Sequence, residues 1–225
     1  MNDSTLHVAF AAPENLHATI ESFIDGVLAS PDQCHLEELE ALVPPFVNVL
    51  LATFFKGPIE ASGASGSAAR FILGAMNVIQ RAADSLVSRL LKNTTQVEQQ
   101  KLAEHFSTLR KYNKNNLFVA FPLEPSQAEK ASLVFQMFLQ GEGNMDQLLE
   151  VMQVINDGAI EHFMDRSVGC LSLGRINRAL VSAARVTVCK ASASATHKGL
   201  VAMDANARRA VVSYFDNMLI RFDDG

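Results

Sequence analysis

Residues 68–92 read AARFILGAMNVIQRAADSLVSRLLK and form the longest helical pattern in the chain. Apolar residues recur there at steps of three and four, so they share one stripe along a helix. The polar residues, among them Arg70, Asn77 and Arg81, lie away from that stripe. The pattern predicts a long amphipathic helix whose buried face carries Ile72, Met76, Ile79, Ala83, Leu86 and Leu90.

Helix start signals recur on both sides of this segment. Pro13 precedes an amphipathic run over 13–29. The motifs Ser-x-x-Gln at 30–33, Thr-x-x-Glu at 95–98 and Ser-x-x-Glu at 126–129 are typical of capping boxes. They predict helices over 30–43, 95–112 and 126–140, and periodic patterns predict three more over 145–164, 172–196 and 204–222.

Residues 46–56 follow Pro44 and Pro45 and are apolar on all sides. A helix of this kind usually occupies the centre of its fold, so we expect it to be the most buried helix. We also expect Gly57 and Pro58 to end it. The uncharged stretch over 41–55 is shorter than the roughly 20 residues of a spanning helix. We therefore expect no membrane span, with a membrane-inserting hairpin as the alternative.

The segment 60–67, EASGASGS, is the one linker-like stretch. We interpret it as a loop, with a domain boundary as the alternative. Only 117–121 has the pattern of a strand. The sequence therefore predicts an all-α fold without a sheet, in which residues 1–225 form a single compact bundle of eight or nine helices around the central apolar helix 46–56.

Composition limits the class of protein. Apolar residues make up 48% and charged residues 19% of the 225, which is enough to form a core without a metal or a disulfide. Cys34, Cys170 and Cys189 are odd in number and widely spaced, which indicates a reducing compartment. The first residues lack the basic charge of a signal peptide. We expect a soluble, cytoplasmic protein, and the net charge of −5 argues against a nucleic-acid partner.

Charge is distributed in blocks. Residues 1–60 carry one basic and nine acidic groups, and 116–165 carry one and eight, while 61–115 and 166–225 are basic. Within the last block, Arg175, Arg178 and Arg185 share one helix face, and Arg208 and Arg209 could extend it. These five arginines are the candidate binding residues, for an acidic partner or an anion. The alternative, which we expect, is that they pair with the acidic segments.

Motifs for catalysis or metal binding are incomplete. The chain has no His-Glu-x-x-His and no Cys-x-x-Cys. The glycines over 169–176 have phosphate-loop spacing, but Arg175 and Ile176 replace the lysine and the hydroxyl residue. Glu14 and His17 have the spacing of one half of a di-iron site, and His17 alone could ligate haem iron. We predict no catalytic residue, no metal and no cofactor.

Three short segments resemble the B-cell lymphoma two family of apoptosis regulators. Residues 173–176, Leu-Gly-Arg-Ile, are similar to the family's first homology motif. Residues 214–219 lie where its last groove helices would be, and 79–86 resembles the helix that fills such grooves. The resemblance implies an all-α fold with a groove for a partner's helix. The chain departs from the family in having no tryptophan.

These observations favour a non-enzymatic helical protein that binds another macromolecule, most simply a protein. The eight methionines support this, because methionine is common at surfaces that accept helices. The first alternative is an all-α carrier or enzyme that encloses an apolar ligand such as haem or lipid. The resemblance to the apoptosis regulators is the second. A homo-oligomer and a purely structural role are also left open.

Overall fold

The computed structural model describes residues 5–114 and 116–222. Helices account for 76% of these residues and form eight continuous stretches, which confirms the prediction of a helix-dominated bundle. Two stretches are each divided by a π-helical segment, Ala52–Lys56 in one and Glu161–Asp165 in the other. The α-helices are α1 Glu14–Ala29, α2 Leu36–Leu51, α3 Gly57–Ser62, α4 Gly66–Leu90, α5 Gln96–Leu109, α6 Pro125–Gln140, α7 Met145–Ile160, α8 Arg166–Gly169, α9 Arg175–Ala202 and α10 Ala205–Asp216.

The expectation that the chain lacks a sheet is wrong. A four-stranded antiparallel sheet has the order β2-β3-β1-β4. The predicted strand at 117–121 is β3, and Val8 of β1 lies opposite Phe121 of β3 and Leu219 of β4. These partners are far apart in the sequence and the strands are short, so no local pattern indicates the sheet. The strands are β1 Leu6–Ala11, β2 Arg110–Asn113, β3 Asn116–Pro122 and β4 Leu219–Arg221.

Local signals predict several helices correctly. The helix at 68–92 is confirmed as α4. The capping box of Thr95 and Glu98 is confirmed at the start of α5. The expected cap at Ser126 is wrong, because α6 begins one residue earlier at a proline. The helix expected over 204–222 ends at Asp216, because the chain then turns into β4.

The helix that contains residues 46–56 is longer than its flanking signals predict. It begins with α2, continues through the π-helical segment Ala52–Lys56 and ends with α3 at Ser62. The expected interruption at Pro44 and Pro45 is therefore wrong, and so is the expected end at Gly57 and Pro58.

The two prolines inside α2 are tolerated because of where they lie. A proline cannot donate to the carbonyl four residues earlier, which here belongs to Glu40 for Pro44 and to Ala41 for Pro45. Glu40 and Ala41 are both exposed, so water can hydrate these carbonyls. The helix consequently continues past both prolines.

Residues 30–35 form a turn instead of the predicted first turn of a helix. Glutamine side chains of α5 bind the backbone of this turn: Gln96 and Gln100 donate to the carbonyls of Asp32 and Pro31, each at 2.8 Å, and Gln99 accepts from the N–H of His35 at 2.7 Å. The turn is thus stabilised by residues more than sixty positions away, which the local motif does not reveal. The next helix starts only at Leu36.

Within the segment 60–67, only residues 63–65 lie outside helices, and they form the short connection between α3 and α4. Gly63 and Gly66 have φ angles of 61° and 63°, a region that glycine adopts without steric cost. One cluster of buried side chains includes Leu39 before the connection and Ile79 after it. This packing favours a loop, and the extent of a single domain over 1–225 stays a prediction.

Candidate functional site

A cavity of about 220 Å³ lies among the helices. Its walls come from α2 and the π-helical segment after it, from α4 and α5, from α7 with its π-helical segment and α8, and from α9. Apart from Asn156, Ser167 and Ser192, every side chain that lines it is apolar. Native cores contain few voids larger than a water molecule, so this volume marks a candidate binding site.

Phenylalanine rings form much of the cavity wall. The rings of Phe46 and Phe106 lie 5.2 Å apart and nearly perpendicular, and those of Phe46 and Phe163 lie 5.8 Å apart. The ring of Phe54 also lies 6.3 Å from the ring of Phe163. Such edge-to-face contacts hold the rings in preferred orientations. The cavity therefore has a wall of aromatic side chains that pack against one another.

Both π-helical segments of the described chain meet at this cavity. A π-helical turn changes the direction of the side chains that follow, and such turns occur frequently at functional sites. Each segment contributes two lining residues: Phe54 and Phe55 from the first, Phe163 and Met164 from the second.

The expectation that 46–56 is the most buried helix is wrong. Phe46, Leu51 and Phe55 are buried, but Leu50 and Phe54 are only half-buried. These two side chains face the cavity, where protein atoms do not cover them. The apolar character of the segment is thus explained by the cavity wall as well as by the core.

The helical stretch Leu36–Ser62 is the one in the described residues that is long and apolar enough to cross a membrane, judged by length and composition. The mean hydropathy of its most apolar window is 1.4, and 28% of that window is buried. Core helices of other proteins also reach such a hydropathy, but most of their residues are buried. The absence of a membrane span and the cytoplasmic location stay predictions.

A small group of polar side chains on α7 and α9, Asn156, Ser192 and Thr196, interrupts the apolar wall; we call it the polar patch. Asn156 donates from its amide nitrogen to the hydroxyl of Thr196 at 2.8 Å. Ser192 lies one helical turn before Thr196, so the two side chains share a face of α9. Asn156 and Ser192 line the cavity, and Asn156 also borders a smaller cavity that Thr196 lines.

An ion pair connects α9 to the second π-helical segment. The guanidinium of Arg185 donates from Nε to both oxygens of Asp165, each at 2.9 Å. Asp165 is the last residue of that segment, two positions after Phe163. Arg166 pairs in turn with Glu161 at 2.7 Å. The first pair links the segment to α9, and the second links its first residue to the first residue of α8.

Two histidines lie next to the aromatic wall. The ring of His162 is buried and stacks on Phe121 at 5.3 Å. Burial, together with the nearby Arg166, lowers the pKa of His162 to about 4. Burial also lowers the pKa of His105, whose Nε2 donates to the carbonyl of His162 at 2.9 Å. His162 is therefore neutral near pH 7, and neither ring lines the cavity.

The five candidate arginines occupy separate places. Arg185 pairs with Asp165 of the acidic block 116–165, as expected. Arg208 donates to the carbonyls of Met203 and Asp204, and Arg209 lies beside Gly141. Arg175 and Arg178 are exposed near the start of α9 and have no ion pair within the described residues. Arg208 and Arg209 lie on α10, which packs mainly against α3 and α6.

Groups that could hold a metal are scarce around the cavity. No cluster of three or more histidine, cysteine or acidic side chains suited to a metal occurs in the residues that the structure describes. The three cysteines are free, and none of them lines the cavity. Met164 is the one lining side chain of the described chain that could ligate haem iron. The lining therefore suits an organic apolar ligand better than haem.

No family model, curated protein or solved structure matches this chain. The resemblance to the apoptosis regulators is thus without support from a match. The segment 79–86, one of the three that carry this resemblance, lies inside α4, where Ile79, Ala83 and Leu86 line the cavity.

Proposed function

We propose that this protein binds a small apolar organic molecule in the cavity among its helices. The observation that carries the proposal is a cavity of about 220 Å³ with an almost wholly apolar lining. An engineered apolar cavity of about 150 Å³ is known to bind benzene, so this volume is sufficient for a compact hydrocarbon.

The unfilled space beside the phenylalanine rings supports an occupant. Side chains that border an unfilled space lose dispersion contacts on that side, which destabilises a core. A bound apolar molecule would restore the missing dispersion contacts with the phenylalanine rings.

The lining favours binding over catalysis. General acid–base chemistry needs a titratable side chain in contact with the substrate. Among the described residues, no titratable side chain lines the cavity. The role that this arrangement supports best is that of a carrier or a sensor for its ligand.

Naphthalene is a suitable probe, because it is an uncharged, compact and fluorescent hydrocarbon. We expect saturable binding of one naphthalene per chain in a fluorescence titration. Ala83 is a half-buried lining residue of α4, and Ala83→Phe places a ring in the cavity. We expect this variant to bind naphthalene at least tenfold more weakly.

Ala18→Phe is the matched control, because Ala18 is exposed on α1 and does not line the cavity. This variant should bind like the wild type. The proposal fails if naphthalene does not bind, or if both variants bind it equally well. Mass spectrometry of an organic extract of the purified protein would identify a natural ligand.

A second candidate function, recognition of an acidic protein partner, is favoured by the first half of α9. Ile176 and Val186 are 72% and 49% exposed, and together with Ala179 and Ala183 they recur at steps of three and four on one face. Arg175 and Arg178 beside this face have no ion pair within the described chain. Like charges would oppose a second copy on this face, whereas a helix with acidic groups complements it.

This second candidate is tested by retention on an immobilised acidic amphipathic peptide. Ile176→Glu and Arg178→Glu should each abolish retention and leave the melting temperature unchanged. Arg209→Glu is the control, since Arg209 lies beside Gly141, far from this face. Equal retention of all three variants would contradict the proposal.

A further inference from the structure

The polar patch gives the cavity a chemical preference in addition to its apolar lining. Ser192 is only 5% exposed, yet its hydroxyl has no hydrogen-bond partner within residues 5–114 and 116–222. In the same part of the chain, every fully enclosed side-chain nitrogen or oxygen has a partner. The Ser192 hydroxyl is therefore not fully enclosed by protein, and the space that it borders is the cavity.

Asn156 supplies a hydrogen-bond acceptor that complements the hydroxyl of Ser192. Its amide nitrogen is engaged by Thr196 at 2.8 Å, which orients the side chain. Within the described residues its carbonyl oxygen has no hydrogen-bond donor, and the residue lines the cavity. A hydroxyl can both donate and accept, whereas the amide oxygen only accepts. Asn156 and Ser192 together can satisfy one hydroxyl group of a ligand, and Ser192 alone can donate to a ligand carbonyl.

The cavity lining offers no partner for a charged group on a ligand. Among the described residues no charged side chain lines the cavity. The cations that flank the second π-helical segment, Arg166 and Arg185, are already paired with Glu161 and Asp165. A carboxylate or an ammonium group held beside Asn156 and Ser192 would lose hydration without gaining a partner of opposite charge.

We infer that the ligand of this cavity is a neutral, mainly hydrocarbon compound with a single hydroxyl or carbonyl group bound at Asn156 and Ser192. This inference rests on the proposed function. It assigns to the polar patch the role of orienting the ligand, and to the phenylalanine wall the role of providing most of the binding energy.

Three probes of matched shape, naphthalene, naphthol and naphthoate, separate the contribution of the apolar wall from that of the polar patch. At pH 7 naphthol is neutral and naphthoate carries a full negative charge. We expect naphthol to bind to the wild-type protein at least tenfold more tightly than naphthoate. Ser192→Ala and Asn156→Leu should each weaken naphthol binding by about three- to tenfold more than they change naphthalene binding.

Ser194→Ala is the matched control, because Ser194 lies on α9 but does not line the cavity. It should bind all three probes like the wild type. The melting temperature of each variant shows whether it is folded. If Asn156→Leu fails to fold, the smaller change Ser192→Ala still tests the inference.

The outcomes distinguish this inference from the function on which it rests. Failure of naphthalene to bind would overturn both. Naphthalene binding with unchanged naphthol affinity in Ser192→Ala would overturn the inference and leave the proposed function standing. Equal affinity for naphthol and naphthoate would also overturn the inference, because it would show that the cavity accepts a charge.

Discussion

The ring of Phe54 lies 6.3 Å from the ring of Phe163, and each ring belongs to a π-helical segment. The two segments interrupt the two long helices that flank the cavity. An α-helical continuation would turn the residues after Phe54 and Phe163 by a different angle. The local departures from α-helix are thus directly associated with the proposed binding site.

Removing the Phe163 ring should strongly destabilise the protein. This ring contacts the rings of Phe10, Phe46, Phe54 and Phe121. Because the ring is half-buried and borders the cavity, we expect Phe163→Ala to lower the free energy of unfolding by about 2–4 kcal/mol in urea denaturation. Phe71→Ala is the control: Phe71 is 43% exposed, so its loss should cost about 1 kcal/mol or less.

Two leucines of α2 test whether the cavity is empty in the free protein. Leu42 is fully buried, whereas Leu50 is half-buried and faces the cavity. We expect Leu42→Ala to cost about 2–5 kcal/mol and Leu50→Ala about 1 kcal/mol, because Leu50 has fewer atoms packed against it. Equal losses for the two variants would indicate that the cavity closes in solution.

Glu98 should contribute stability that depends on pH. Burial raises its pKa, but hydrogen bonds from Thr95 and Ser172 outweigh this effect and hold the pKa below its usual value of 4.5. Stability from the ionised group is therefore present above the unfolded pKa and is lost as pH falls through the folded one. We expect Glu98→Gln to cost about 1–3 kcal/mol at pH 7 and less in acid. Glu104→Gln, an exposed change on the same helix, should have little effect at either pH.

His162 should make the protein less stable as the pH falls. Its pKa is about 4 in the folded state and near 6.5 in the unfolded chain, because burial disfavours the charged ring. Between these values the unfolded state binds more protons, so the free energy of unfolding should drop by up to about 3 kcal/mol from pH 6.5 to pH 4. His162→Phe keeps an aromatic ring beside Phe121 and should flatten this dependence. The exposed His197→Gln should leave the slope unchanged.

The ion pair of Arg185 and Asp165 should matter little for global stability. Both side chains are partly exposed, so Arg185→Gln should cost at most about 1 kcal/mol. The difference from the wild type should shrink as salt is added from low to high concentration. A larger loss that persists in salt would show that the pair is required to hold the second π-helical segment.

The capping box at the start of α5 could be predicted from the sequence because Thr95 and Glu98 lie within one turn of each other. The similar motif at 30–33 did not start a helix, since side chains of α5 bind the backbone there instead. Likewise, β3 has a recognisable pattern, but its partner β1 lies at the other end of a long stretch of chain. Predictions thus succeeded where the determining contacts are local.

By itself, the sequence determined the helical class, the amphipathic helix at 68–92 and the separation of the charges into blocks, because these depend on residue type and on spacing within a few turns. Only the tertiary structure decided that the apolar residues around Phe54 line a cavity. That outcome requires Phe54 and Phe163, more than a hundred residues apart, to face each other. It also requires Ser192 of a third helix to border the same space. No periodicity along a single helix records which faces of different helices meet, because that choice depends on how all the helices pack together.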